Sequence, residues 1–100
     1  MRVRKVDAPT LRLPGAFIRR TNWSGADLSE ANLTNADATG ASFVGADMNG
    51  ADLAGTVLRG ADLTGVKNLT PEQLRSAIID EATKLPDYID RSALILAPAE

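Results

Sequence analysis

All eight glycines of this chain fall in a single phase of five: Gly15, Gly25, Gly40, Gly45, Gly50, Gly55, Gly60 and Gly65. Five is neither the 3.6-residue period of a helix nor the 2-residue period of a flat strand. An internal repeat of this kind decides the architecture before any local propensity does. In the same frame every unit has an apolar centre, from Leu13 to Leu63, and each glycine lies two places after one. Two places before the centre the residue is alanine in eight of eleven units, and the place between is Asp or Asn in seven. The pattern demands a chain that turns a corner every five residues. Glycine supplies the positive φ that a tight turn often needs. The large centre and the small residue two places earlier point inward, and the polar residue between them points to water.

Four corners close a square coil, so residues twenty apart stack at the ladder spacing of about 4.8 Å. The inward columns are then Leu13–Leu33–Leu53, Ile18–Ala38–Leu58, Trp23–Phe43–Leu63 and Leu28–Met48. Aromatics make up only 4% of the chain, which fits a narrow core built on Ala and Leu. Trp23 and Phe43 are expected in that core, next to the small centre Ala38.

The run "ADLSEANLTNADATGASFVGADMNGADLAGTVLRGADLTG" resembles the pentapeptide-repeat proteins, whose unit is A-(D/N)-L-X-X. The resemblance implies an all-β solenoid, a right-handed quadrilateral β-helix, with four pentapeptides to the coil. Eleven units over residues 11–65 make about three coils at that count. Residues 1–10 are expected to form an N-terminal arm that covers one coil end incompletely, residues 66–90 a capping helix and turn, and residues 91–100 a tail. The helix is expected to start after Thr70, which serves as N-cap with Pro71 at the first position and Gln73 closing a capping box. Leu69 and Leu74 form a hydrophobic staple, and Leu74, Ala77, Ile78 and Ile79 make the buried stripe. The helix is expected to run to about Ala82, with Glu72, Arg75 and Asp80 facing water. It also resembles the terminal helix that follows the repeats in many family members.

The chain has no cysteine and no histidine, so thiolate and imidazole chemistry are both excluded. Asp27, Asp37, Asp47, Asp52 and Asp62 are read as solvated surface, since only Asp27 and Asp47 stack and nothing converges on them. Neither an enzyme nor a cofactor or metal site is expected. The formal net charge of −2 gives no compositional case for nucleic-acid binding. No segment reaches transmembrane length, the N-terminal stretch lacks the apolar core of a secretory leader, and a cytoplasmic location is expected.

The family resemblance raises one functional idea, because some pentapeptide-repeat proteins mimic DNA and bind type II topoisomerases such as gyrase. Here the outward columns Arg12–Asn32–Asp52, Phe17–Asp37–Val57, Asn22–Ser42–Asp62 and Asp27–Asp47 hold few carboxylates. Arg19, Arg20 and Arg59 dilute them further, whereas DNA carries a charge every ~1.7 Å of axis. The columns point instead to a protein–protein interaction or scaffold module. Phe17 and Val57 occupy outward places where Asp or Asn is the rule, flanking Asp37, and Arg19 and Arg59 lie in the neighbouring column. Apolar residues edged by arginine are typical of interface centres. Self-association through the N-terminal coil end and strand addition by the tail "SALILAP" are further expectations.

Overall fold

The computed structural model describes residues 10–94. Every fifth residue from Arg12 to Lys67 forms an isolated parallel bridge with the residue twenty places away, such as Arg12 with Asn32 and Phe17 with Asp37. Four such columns make a square parallel coil. Between bridges, each corner is closed by the N–H of the next small residue donating back to the carbonyl of the preceding centre, as Ala36 does to Leu33 at 3.0 Å. At these corners the third residue has φ near +70° when it is glycine. Positive φ at that place alone is the signature of a type II turn. Arg20, Glu30 and Asn35 take the same place with φ of 59°, 60° and 61°. The coil imposes this backbone on side chains that disfavour it, because a corner elsewhere would break the twenty-residue stacking.

The ladder bonds explain why stacking is so regular. From Asn32 on, the outward residue of each unit points both its N–H and its C=O toward the preceding layer. Asn32 donates to the Leu11 carbonyl at 2.9 Å and accepts from Leu13 N–H at 2.7 Å. The inward columns match the expected ones. Leu28, Leu33, Ala38, Phe43, Met48, Leu53, Leu58 and Leu63 are all buried, while Leu13, Ile18 and Trp23 in the first layer pack against them half-buried. Thr56 is fully buried at a place where alanine is the rule, and its hydroxyl donates to the Leu33 carbonyl at 2.6 Å. Burying a hydroxyl costs little once it is bonded in this way.

The Asp and Asn residues do more than face water. Asn22, Asp27, Asn32, Asp37, Asp47, Asp52 and Asp62 each accept, through one side-chain oxygen, the backbone N–H two residues ahead at 2.9–3.2 Å. These Asx turns pre-shape the corner, which is the physical reason for Asp or Asn at that place.

A short helix, α1 (Pro71–Ser76), follows the repeats, and its N-terminus has the expected capping box. Gln73 N–H donates to Thr70 Oγ1 at 3.1 Å, and Thr70 N–H donates to Gln73 Oε1 at 2.8 Å. Leu69 and Leu74 are both buried, and Glu72, Arg75 and Asp80 are exposed. The expected extension to Ala82 is wrong. The helix stops at Ser76, Ala77 is extended, and Ile78 bridges Val57 while Lys84 bridges Asp62. Pairing with the open ladder edge outcompetes two more helical turns here, because Val57 and Asp62 would otherwise present unpaired backbone. Thr83, buried above Ala61, donates its hydroxyl to the Leu58 carbonyl at 2.8 Å. Tyr88 then donates to the Val66 carbonyl and accepts from Leu69 N–H, and a 3₁₀ turn at Arg91–Leu94 closes the described chain. The expected arm falls almost wholly on residues 1–9, outside the described residues, as do residues 95–100 of the expected tail.

Candidate protein-interaction face

One outward column departs from the polar rule at three of its four places. The bridges Phe17–Asp37, Asp37–Val57 and Val57–Ile78 place three apolar residues and one carboxylate in a line. Phe17 is 72% exposed and Ile78 38%, while Val57 is half-buried. The sequence reading assigned Ile78 to the buried helical stripe, and its place on this face follows from the early end of α1. The twenty-residue count from Val57 lands on Ala77, and the one extra residue in the last layer puts Ile78 in the column instead.

Arg19 gives this face its form. Its Nε donates to Asp37 Oδ2 at 2.8 Å, and its guanidinium carbon stands 4.7 Å from the centroid of the Phe17 ring. The arginine is therefore held at one end by an ion pair and lies over an aromatic face, the arrangement of a cation–π contact. Asp37 in turn accepts from Thr39, by backbone N–H at 3.2 Å and by hydroxyl at 2.6 Å. The structure thus brings Phe17, Arg19 and Asp37 into direct contact. Val57 stacks next to Asp37, and Arg59 lies at an exposed place two layers from Arg19. Arg59 makes no ion pair among the described residues.

The Thr39 hydroxyl, then Arg19, hold the Asp37 carboxyl below its usual range, and the Thr64 hydroxyl does the same for Asp62. Asp80 is lowered chiefly by the backbone N–H of Gly60, which it accepts at 3.0 Å, and Asp90 by the Ser92 hydroxyl. A carboxylate whose folded pKa is depressed contributes stability above its unfolded pKa and loses it as pH falls through the folded value. Stability should therefore hold through neutral pH and begin to fall as pH approaches the ordinary value of 3.8, with the loss completed below it. Urea melts at stepped pH check this. A midpoint that rose on acidification below that value would contradict the Asx network.

The surface is not flat throughout. A shallow groove of about 510 Å³ runs beside α1, lined by Asn49, Gly50, Asp52, Asn68, Glu72 and Gln73 among others. No group of three or more acidic residues among the described residues has metal-binding geometry. No helix among them is long and apolar enough to cross a membrane.

A parallel coil with four columns, corners every five residues and Asx-shaped turns defines the class of protein. Eight copies of the pentapeptide repeat match over residues 13–50 and 31–67, more than half of the sequence, and the chain belongs to the pentapeptide repeat family. Known members of this family form right-handed quadrilateral β-helices. No curated protein matches the chain. Among solved structures it is similar to the pentapeptide repeat protein Rfr23 from the cyanobacterium Cyanothece 51142, at 33% identity and a TM-score of 0.67 over 77% of this chain and 52% of that one. It is also similar to a pentapeptide repeat protein from Nostoc PCC 7120, at 28% identity and a TM-score of 0.56, covering 83% of this chain and 77% of that one. A third likeness is to a pentapeptide repeat protein of the Arabidopsis thaliana thylakoid lumen, at 30% identity and a TM-score of 0.56, covering 80% of this chain and 63% of that one. The chain thus spans about half the length of the first of these.

Proposed function

We propose that this chain is a non-catalytic scaffold or accessory module that binds a protein partner through the Phe17–Asp37–Val57–Ile78 face. The observation that carries the reading is the state of Phe17. An aromatic ring that is 72% exposed is held under Arg19, which is itself anchored to Asp37. An exposed ring fixed in this way loses little freedom on binding, which is the property that makes aromatic and arginine residues interface anchors. Arg59, without an ion pair among the described residues, supplies a cation for a partner carboxylate. The partner is accordingly an apolar protein segment carrying an acidic residue. In this reading α1 and the segment after it act as the end cap that solenoids need, and the module works in the cytoplasm.

The test is capture of partners from host lysate at low salt and at ~0.5 M salt, with the wild type and a Phe17→Glu, Val57→Glu double variant of verified fold. A partner held at both salt concentrations by the wild type should bind the variant at least about thirtyfold more weakly, the loss of one hot spot. Undiminished binding by the folded variant would remove this face from the interaction. Recovery of a type II topoisomerase at low salt alone would favour DNA mimicry instead.

A further inference from the structure

The corner at Asn49–Gly50 differs from its neighbours in one hydrogen bond. In the corners before it, the glycine N–H donates nineteen residues ahead, as Gly40 does to Arg59 at 2.8 Å and Gly45 to Thr64 at 3.0 Å. The corresponding acceptor for Gly50 would be the Leu69 carbonyl. The chain leaves the ladder at Asn68, where φ is 63°, in order to start α1. Among the described residues the Gly50 N–H consequently donates to nothing, and the Asn49 side-chain amide has no partner. Both residues are exposed and line the open groove beside α1.

From this geometry we infer that Asn49 is a site of spontaneous deamidation. The Gly50 nitrogen attacks Asn49 Cγ, a new N–Cγ bond forms, and the Cγ–Nδ2 bond breaks. Ammonia leaves carrying the proton that the Gly50 nitrogen gives up. Water then opens the resulting five-membered imide at either carbonyl, giving aspartate or isoaspartate at position 49. The net change is one water consumed and one ammonia released, with no oxidant or further reactant. Glycine after asparagine favours the attack because no side chain hinders the approach of its nitrogen and its backbone turns freely. The other four asparagines precede Trp23, Leu33, Ala36 and Leu69.

The product matters for what the corner holds. Isoaspartate routes the main chain through the former side chain and adds a methylene to the corner. That corner is closed by Ala51 N–H on the Met48 carbonyl at 3.0 Å. The same Met48 carbonyl and that of Ala51 each accept from Gln73 Nε2 at 2.9 Å, which fixes α1. Modification at Asn49 therefore loosens the seat of α1.

The experiment is incubation of the purified full chain at neutral pH and physiological temperature, followed by peptide mapping by mass spectrometry and an isoaspartyl assay. An Asn49→Gln variant and a urea-unfolded sample run in parallel. Deamidation should appear at Asn49 before any other asparagine in the folded protein, should yield isoaspartate, and should be absent from the variant. The inference is overturned if Asn49 keeps its amide in the folded protein while it converts in the unfolded chain. It is equally overturned if another asparagine reacts first.

Discussion

Replacing Phe43 by alanine is expected to remove most of the stability of this domain. The ring is completely buried and occupies the middle of the Trp23–Phe43–Leu63 column, with Ala38 a small centre in the adjoining column. Truncation leaves a cavity that neighbouring alanines cannot refill, and Phe→Ala changes at such sites cost about 3–5 kcal/mol. Domains of this size have only about 5–15 kcal/mol in total. The single tryptophan, Trp23, reports on the same column. Its indole N–H donates to Thr21 Oγ1 at 2.6 Å, and that hydroxyl donates to the Ile18 carbonyl. Urea unfolding followed by Trp23 fluorescence and by far-UV circular dichroism should show both signals shifting together to a much lower midpoint. A loss below about 1 kcal/mol, the worth of a single buried methylene, would mean that the ring is not packed as described.

Replacing Gln73 by alanine should act more locally and cost about 2 kcal/mol. This side chain has two jobs. Its Oε1 accepts from Thr70 N–H as the second half of the capping box, and its Nε2 donates to the carbonyls of Met48 and Ala51. Alanine leaves the Thr70 N–H and the Ala51 carbonyl short of a partner, and leaves the Met48 carbonyl with the Ala51 N–H alone. Gln73→Glu separates the jobs, since glutamate keeps the acceptor for Thr70 but sets a carboxylate against two carbonyl oxygens. Amide hydrogen exchange should show α1 opening in both variants while the Phe43 and Leu58 amides stay protected. If Gln73→Glu matched the wild type, the two carbonyl contacts would carry no weight. If the core amides lost protection equally, α1 would be part of one cooperative unit with the coil.

The period of five was enough to place most of the core. Inward and outward assignment follows from which residue precedes the glycine, and stacking follows from four corners, so Phe43 and Leu58 could be positioned by counting. The stacking of Phe17, Asp37 and Val57 was legible for the same reason, because a solenoid turns sequence separation into distance. Two features escaped. The Asx turns look like ordinary solvated carboxylates in sequence, since an exposed Asp and an Asp bonded to its own backbone have the same hydropathy. The end of α1 escaped because Ala77, Ile78 and Ile79 continue a helical stripe, and only the unpaired edge at Val57 reveals that Ile78 has a better use as a ladder partner. That one misplacement also hid Ile78 from the candidate face.

The last layer pairs at separations of twenty-one and twenty-two residues, Val57 with Ile78 and Asp62 with Lys84, where every earlier bridge spans twenty. The extra residues are taken up in the stretches between bridges, and the pairing itself survives. A coil of this kind therefore has two grades of tolerance to an added codon. Within the glycine-phased region, one inserted residue would carry every later inward side chain to an outward place, like a thread cut at the wrong pitch. Past Lys67 the same insertion is slack that the chain already knows how to absorb, so length variation in such proteins has a natural place to accumulate.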